Sequence, residues 1–245
     1  MAVQAHDEDQ LREETIGQLV ARNPGLSRVF EELRIDFCCG GGRTVEAVCA
    51  ERGLDVDAVV ARLRDASAER GADPDCVAMT LSALCDHIEH VHHAYLRAEL
   101  PRLSLWTDKV ARVHGDRHPP LVDVRDVFAR LREEMEHHMM KEEQILFPAI
   151  RRLDQEESMP QLAFGSIASP IHCMVREHEN AGSALAQLRV LCDDYVPPHD
   201  ACNTYRAMFH SLSELERDMH THVHKENYIL FPRAVERESQ LGGAK

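Results

Sequence analysis

His138-Met-Met-Lys-Glu142-Glu-Gln-Ile-Leu-Phe-Pro148 and His222-Val-His-Lys-Glu226-Asn-Tyr-Ile-Leu-Phe-Pro232 are two versions of one eleven-residue stretch, 84 residues apart and identical at seven positions. Chance similarity does not supply seven identities in eleven, so the stretch marks an internal duplication. In each copy a histidine and a glutamate stand four residues apart, on one face of a helix and one turn from each other. The flanking residues say which face. Leu131, Met135, His138, Glu142, Ile145 and Ala149 follow spacings of four and three, the seam of a packed helix. Leu215, Met219, His222, Glu226 and Ile229 do the same. Both copies place an imidazole and a carboxylate where apolar residues belong.

Burying a carboxylate without a partner costs several kcal/mol or forces it to take up a proton. A metal ion resolves the conflict, because both side chains become ligands. A hydrogen-bonded His–Glu pair within one helix explains a single copy as well as a metal does. It explains two copies on facing helices poorly. The helix before each copy supplies a further histidine. His178 lies on a stripe with Ile171, Met174, Val175, Ala181 and Leu185. In the first helix His87, His90, His92 and His93 compete; His93 has Leu96 and Leu100 at +3 and +7 and stands 85 residues before His178. The expected ligand set is therefore His93, His138, Glu142, His178, His222 and Glu226. Six ligands are too many for one tetrahedral zinc. They suit two metals sharing the two carboxylates, with open positions for a small ligand. Imidazole with carboxylate suits non-haem iron, and by ligand type zinc and manganese too. The spacing differs from the Glu-x-x-His of carboxylate-rich di-iron proteins.

Composition bounds the rest. The chain has 245 residues, 44% hydrophobic and 29% charged, with sixteen histidines and a net charge of −14. That acidity argues against a nucleic-acid partner, whose phosphates must be met by clustered Lys and Arg. The polar, acidic N-terminus does not read as a signal peptide. No run approaches the roughly 18 apolar residues of a membrane span. The expected compartment is the cytoplasm, where the eight cysteines stay largely reduced. None of them forms a C-x-x-C pair.

The pattern is helical throughout. Residues 1–72 read as a small helical domain, with helices around Thr15–Arg22 and Gly25–Leu33, a Gly-rich turn at Cys38-Cys39-Gly40-Gly41-Gly42, a helix between Thr44 and Gly53, and another from Asp55. Gly71-Ala72-Asp73-Pro74 reads as a linker. Residues 75–238 read as an antiparallel four-helix bundle, with helices over Asp75–Val113 (disturbed at Pro101), Leu121–Leu153, Pro170–Asp193 and Asp200–Arg237. Turn chemistry at Gly115–Pro120, Glu157–Pro160 and Val196–Pro198 separates them.

The two His-x-x-x-Glu motifs with their Ile-Leu-Phe-Pro tails resemble the hemerythrin-like domain. With Asp36-Phe37-Cys38-Cys39-Gly40-Gly41 in front, the chain from about Glu14 to Ala234 resembles the iron–sulfur cluster repair di-iron proteins, the repair of iron centres family. The resemblance implies two non-haem iron ions, oxo- and carboxylate-bridged, held by the six residues named above. It implies repair of iron–sulfur clusters damaged by nitric oxide or oxidants, through donated iron or by action on nitric oxide itself. Damaged iron–sulfur proteins would be the partners and nitric oxide or oxygen the small ligands. Oxygen-carrying hemerythrins have one more terminal histidine, so a gas-binding sensor or scavenger is the second reading and a purely structural metal bundle the third. The resemblance also points to Glu134 and Glu177 as lining a polar route to the iron; a helix-supporting role for Glu134 is the plainer alternative. His137 and His172 read as neighbours of the site.

Cys38 and Cys39 precede a helix, and a helix N-terminus lowers thiol pKa values, so one thiolate reads as reactive. The resemblance implies that the pair is a nitric-oxide or redox-responsive thiol site; packed cysteines beside a structural turn are the plainer alternative. Adjacent Cα atoms are about 3.8 Å apart, below the roughly 4.4–6.8 Å of ordinary disulfides. A bridge between them would be labile. The other cysteines read as small packing or surface residues.

Overall fold

The computed structural model of the chain describes residues 8–67 and 75–242. The linker expected at Gly71–Pro74, the boundary between residues 72 and 75, and the first seven residues lie outside them. Among the described residues every regular element is a helix, and one isolated antiparallel bridge joins Thr15 and Thr44. No helix among them is long and apolar enough to cross a membrane. The contacts divide the molecule into two compact units, residues up to Met79 together with Val223–Pro232, and Thr80–His222 together with Arg233 onward.

The first unit packs five short helices, α1 (Glu8–Glu13), α2 (Ile16–Arg22), α3 (Ser27–Glu32), α4 (Val45–Arg52) and α5 (Val56–Ser67). Local chemistry sets their ends. Thr15 caps α2, accepting from the Gln18 N–H, and Thr44 caps α4, accepting from the Ala47 N–H at 3.2 Å. Gly53 ends α4 in the left-handed region, φ +64°, where a Cβ would be strained. Asp55 then accepts from the Asp57 and Ala58 N–H groups. The expected helix at Gly25–Leu33 is split, because Pro24–Leu26 forms a 3-10 turn before α3. Ile16, Leu19, Phe30, Val45 and Leu63 form a buried core.

The second unit is the bundle. Its first long helix runs from α6 (Leu81–Ile88) through a π turn at Glu89–His93 into α7 (Ala94–His114). The second joins α8 (Pro120–Lys141) through a π turn at Glu142–Leu146 to α9 (Phe147–Gln155). The third is α10 (Ala168–Leu191). The fourth joins α11 (Asn203–Lys225) through a π turn at Glu226–Leu230 to α12 (Phe231–Gly242), and Val223–Pro232 of it belongs to the first unit. Two expectations are corrected here. The first helix begins at Leu81, capped by Thr80, and not near Asp75. It also runs unbroken through Pro101; the irregularity sits at Glu89–His93 instead.

Candidate metal centre

Three of the four long helices change pitch where an expected ligand sits. The π turns end at His93 and begin at Glu142 and Glu226. An i→i+5 turn inserts an extra residue and rotates the following face by about one position; such turns recur at functional sites. The sequence seam does not show this. The spacing expected Ile145 inside, whereas the turn leaves it 49% exposed and buries Leu146 and Phe147.

All six expected ligands are buried, none more than 1% exposed. Within the bundle, Glu142 Oε1 lies 3.2 Å from His138 Nε2 and Oε2 lies 3.3 Å from His93 Nε2. His138 and His178 face each other with Nε2 atoms 3.1 Å apart, and the rings of His93 and His222 meet edge to face. Glu226, one turn beyond His222, completes two overlapping groups. His93, Glu142, His222 and Glu226 form one, and His138, Glu142, His178 and Glu226 the other, each with its ligand atoms within 4.8 Å of one another. Both glutamates belong to both groups. The donor set fits metal ions: ligands about 2.1 Å from one ion and adjacent in its shell lie about 3 Å apart, close to the separations seen.

On His93 and His138 the other ring nitrogen is fixed by a carboxylate. His93 donates from Nδ1 to Glu143 at 2.7 Å, and Arg97 pairs with that glutamate. His138 donates from Nδ1 to Glu177 at 2.9 Å, and Lys141 pairs with Glu177. The hydrogen bond from His138, then that from Lys141, outweighs burial and holds the Glu177 carboxyl down at about 2. A carboxylate on Nδ1 orients the ring and makes Nε2 a stronger donor to metal. Glu143 and the π turns escaped the sequence reading; the only trace of Glu143 was an acidic residue beside a ligand. Beside this shell an open cleft of about 280 Å³ is lined by Glu134, His137, His138, Lys141, Glu177 and Asn180 among others. Glu134 and Glu177 both line it. His172 is exposed outside both groups. His92, a competitor of His93, instead stacks on the His222 ring (5.2 Å, 1°) and donates from Nδ1 to Asp218 at 2.8 Å.

In the first unit the Cys38 and Cys39 sulfurs lie 3.8 Å apart, in hydrogen-bond contact and not joined by a disulfide. The expected lowered thiol is corrected at Cys38. Its contact with Cys39, its burial and the nearby Asp36 push the thiol well up. The helix that follows begins only at Val45 and is capped by Thr44, too far on to favour a Cys38 thiolate.

Comparison with known proteins agrees with this geometry. Residues 84–234 match the hemerythrin HHE cation binding domain, and residues 12–67 match a domain of unknown function, DUF542. The iron-sulfur cluster repair protein YtfE of Enterobacter sp. (strain 638) is 39% identical over 224 residues, covering 91% of this chain and 97% of that one. The protein of the same name in Dickeya chrysanthemi (strain Ech1591) is 36% identical, covering 93% and 99%. That of Escherichia coli O81 (strain ED1a) is 37% identical, covering 91% and 97%. With a hemerythrin-type bundle, its paired His and Glu groups and a full-length match to these relatives, the chain belongs to the iron–sulfur cluster repair YtfE family.

Proposed function

We propose that this chain is a di-iron protein that restores iron–sulfur clusters damaged by nitric oxide or oxidants. The observation that carries the reading is that two buried histidine pairs share Glu142 and Glu226, in a chain alignable to the repair proteins over more than nine-tenths of its length. His93 and His222 would hold one iron, and His138 and His178 the other. The two glutamates, with an oxo group, would bridge them. Bound there, the iron pair would supply redox chemistry and an open position for nitric oxide or oxygen.

The chain's own residues do the rest. Glu143 and Glu177 hold His93 and His138 by Nδ1 and keep Nε2 turned inward. Arg97 and Lys141 hold those carboxylates in turn. Glu134 and Glu177, in the cleft that reaches His138, give a cation an acidic path between solvent and site, which supports iron donation to a damaged iron–sulfur protein. The two family matches, at 12–67 and 84–234, support a division into a small helical domain (1–72) and a metal-binding bundle (75–238). The eight cysteines, none of them in a disulfide, accord with a reducing compartment such as the cytoplasm.

The test is repair itself. Iron-loaded protein added to a nitric-oxide-inactivated iron–sulfur dehydratase should restore its activity, and metal-free protein should not. No recovery, together with tight reversible gas binding, would replace this reading with a sensor. Metal analysis should find two irons per chain; one zinc and no iron would sink the di-iron assignment.

A further inference from the structure

The first unit carries a cluster that the bundle chemistry does not use. Asp36, Cys38 and Cys39 each offer a ligand atom, and these atoms lie within 4.8 Å of one another. We propose that these three residues form a second cation site, for a borderline divalent ion of the zinc or ferrous type, distinct from the His and Glu groups of the bundle.

The geometry of the sulfurs carries it. Two metal–sulfur bonds of about 2.3 Å at a tetrahedral angle place the sulfurs about 3.8 Å apart, and the Cys38 and Cys39 sulfurs are 3.8 Å apart. Adjacent residues do not turn both side chains to one point without a special backbone, and this turn has one. Asp36 Oδ1 accepts from the Cys38 and Cys39 N–H groups, both at 2.9 Å, and Oδ2 accepts from the Gly40 N–H at 2.9 Å. Gly41 is required, since a Cβ there would lie 2.3 Å from the Phe37 carbonyl oxygen. The Gly17 N–H donates to Gly41 O at 2.8 Å, and Asn227 Nδ2 donates to Cys38 O at 3.1 Å, fixing the turn from two sides. The site is thus preorganised, with Cys39 and Asp36 reachable from solvent.

The donor set selects the ion. Thiolates favour soft and borderline metals, and a carboxylate moves the preference from copper(I) toward zinc or ferrous iron. Cys38 Sγ donates to Asp36 Oδ1 at 3.2 Å, so an ion would take the place of the bridging proton. Binding forms two metal–sulfur bonds and one metal–oxygen bond and releases two thiol protons to water; no electron moves. Three protein donors leave a fourth position for solvent or an incoming ligand, the pattern of sites that exchange rather than staple.

Cobalt(II) titration of the full iron-loaded chain under reducing, anaerobic conditions tests this. His and Glu ligands give no thiolate-to-cobalt charge-transfer absorption, so the bundle is silent in that readout. The band should saturate at one equivalent and vanish in Cys39→Ser and in Cys38→Ser, with the bundle iron content unchanged. Cys39→Ser, at the more exposed thiol, decides the matter if Cys38→Ser folds poorly. Displacement of cobalt by one equivalent of zinc or of ferrous iron identifies the preferred ion. Absence of the band, its persistence in Cys39→Ser, or failure of both ions to displace it would each overturn the site.

Discussion

The two copies of the duplicated unit carry the same ligands and surround them differently. In the first copy Glu177 holds His138, and the cleft with Glu134 opens beside it. The positions equivalent to Glu177 and Glu134 in the other half are His92 and Asp218. There the His92 imidazole lies flat on His222, with Asp218 on its Nδ1. One half is open and acidic, and in the other a stacked ring lies against the ligand. Beyond the ligands the contrast continues. Met140 and Ile145 are 45% and 49% exposed, whereas His224 and Ile229, at the same places in the repeat, are 4% exposed. His224 donates from Nε2 to Gly17 O at 2.8 Å, and burial, opposed by that bond, pulls its pKa to about 4. Tyr228 packs on Gly17 so closely that a Cβ there would lie 2.3 Å from the ring. The repeated residues form a symmetric cage of imidazoles and carboxylates, while the residues around them diverge, one copy facing solvent and the other packing on Gly17.

What the copies share should be the most sensitive to change. Glu142→Leu and Glu226→Leu should each lose both irons, because each carboxylate serves both groups. Metal analysis and the bridged absorption bands measure this; a variant that keeps one iron at full occupancy would show that its glutamate does not bridge. What the copies do not share should separate them next. Ile229→Ala empties a buried position and should cost about 2–5 kcal/mol. Ile145→Ala, half exposed, should cost less than about 1 kcal/mol. Equal losses in urea unfolding would mean that the two copies are packed alike.

The symmetric part was legible in the sequence and the divergent part was not. His138, Glu142, His222 and Glu226 repeat at fixed spacing, and His93 and His178 follow from the same offset, so the six side chains that the structure gathers in two groups are the six the spacing names. Ile145 could not be placed, because a π turn leaves no mark on apolar spacing until the face has already rotated. Cys38 differs for another reason: the distance to the following helix is legible in the sequence, but the thiol is pushed up by its contact with Cys39 and by burial, which depend on how the turn folds and packs. The pairing of Val223–Pro232 with the first unit brings together residues some two hundred positions apart, which no local pattern reports.

The open and the stacked halves should also differ in how they hold iron. Removing a carboxylate from a ligand's second nitrogen weakens metal affinity by about 10–100-fold. Glu177→Ala should therefore speed chelator extraction from the His138 group by about tenfold or more. His92→Ala should act on the other group and more weakly, since it takes away a stacked ring and not a hydrogen bond to the ligand. Stopped-flow extraction that gives one uniform phase in all three proteins would remove the functional meaning of the difference.

The smallest effect tests a symmetry that the ligands do not show. Asp154, near the end of the second long helix, accepts from the Ser82 N–H at 2.9 Å at the start of the first. Glu238, 84 residues on and near the end of the fourth helix, accepts from the Ile167 N–H at 2.8 Å and from Ser166 Oγ, at the start of the third. Each repeat thus closes its own two-helix unit with one carboxylate. Asp154→Ala and Glu238→Ala should each cost about 1 kcal/mol, the usual worth of a helix cap. Burial pushes the Asp154 carboxyl up, but hydrogen bonds from Ser82 and the Leu81 N–H, with Arg233 nearby, outweigh it and leave the pKa lowered. A lowered carboxyl stabilises the fold above its unfolded value, near 4, and that contribution is lost as pH falls through the folded value. Solvent screening keeps this charge-dependent share below about 1 kcal/mol. The cost of Asp154→Ala measured by urea unfolding should therefore be larger at pH 7 than at pH 3. A cost that stays constant or grows on acidification would mean that the charged carboxylate is not what holds the two helix ends together.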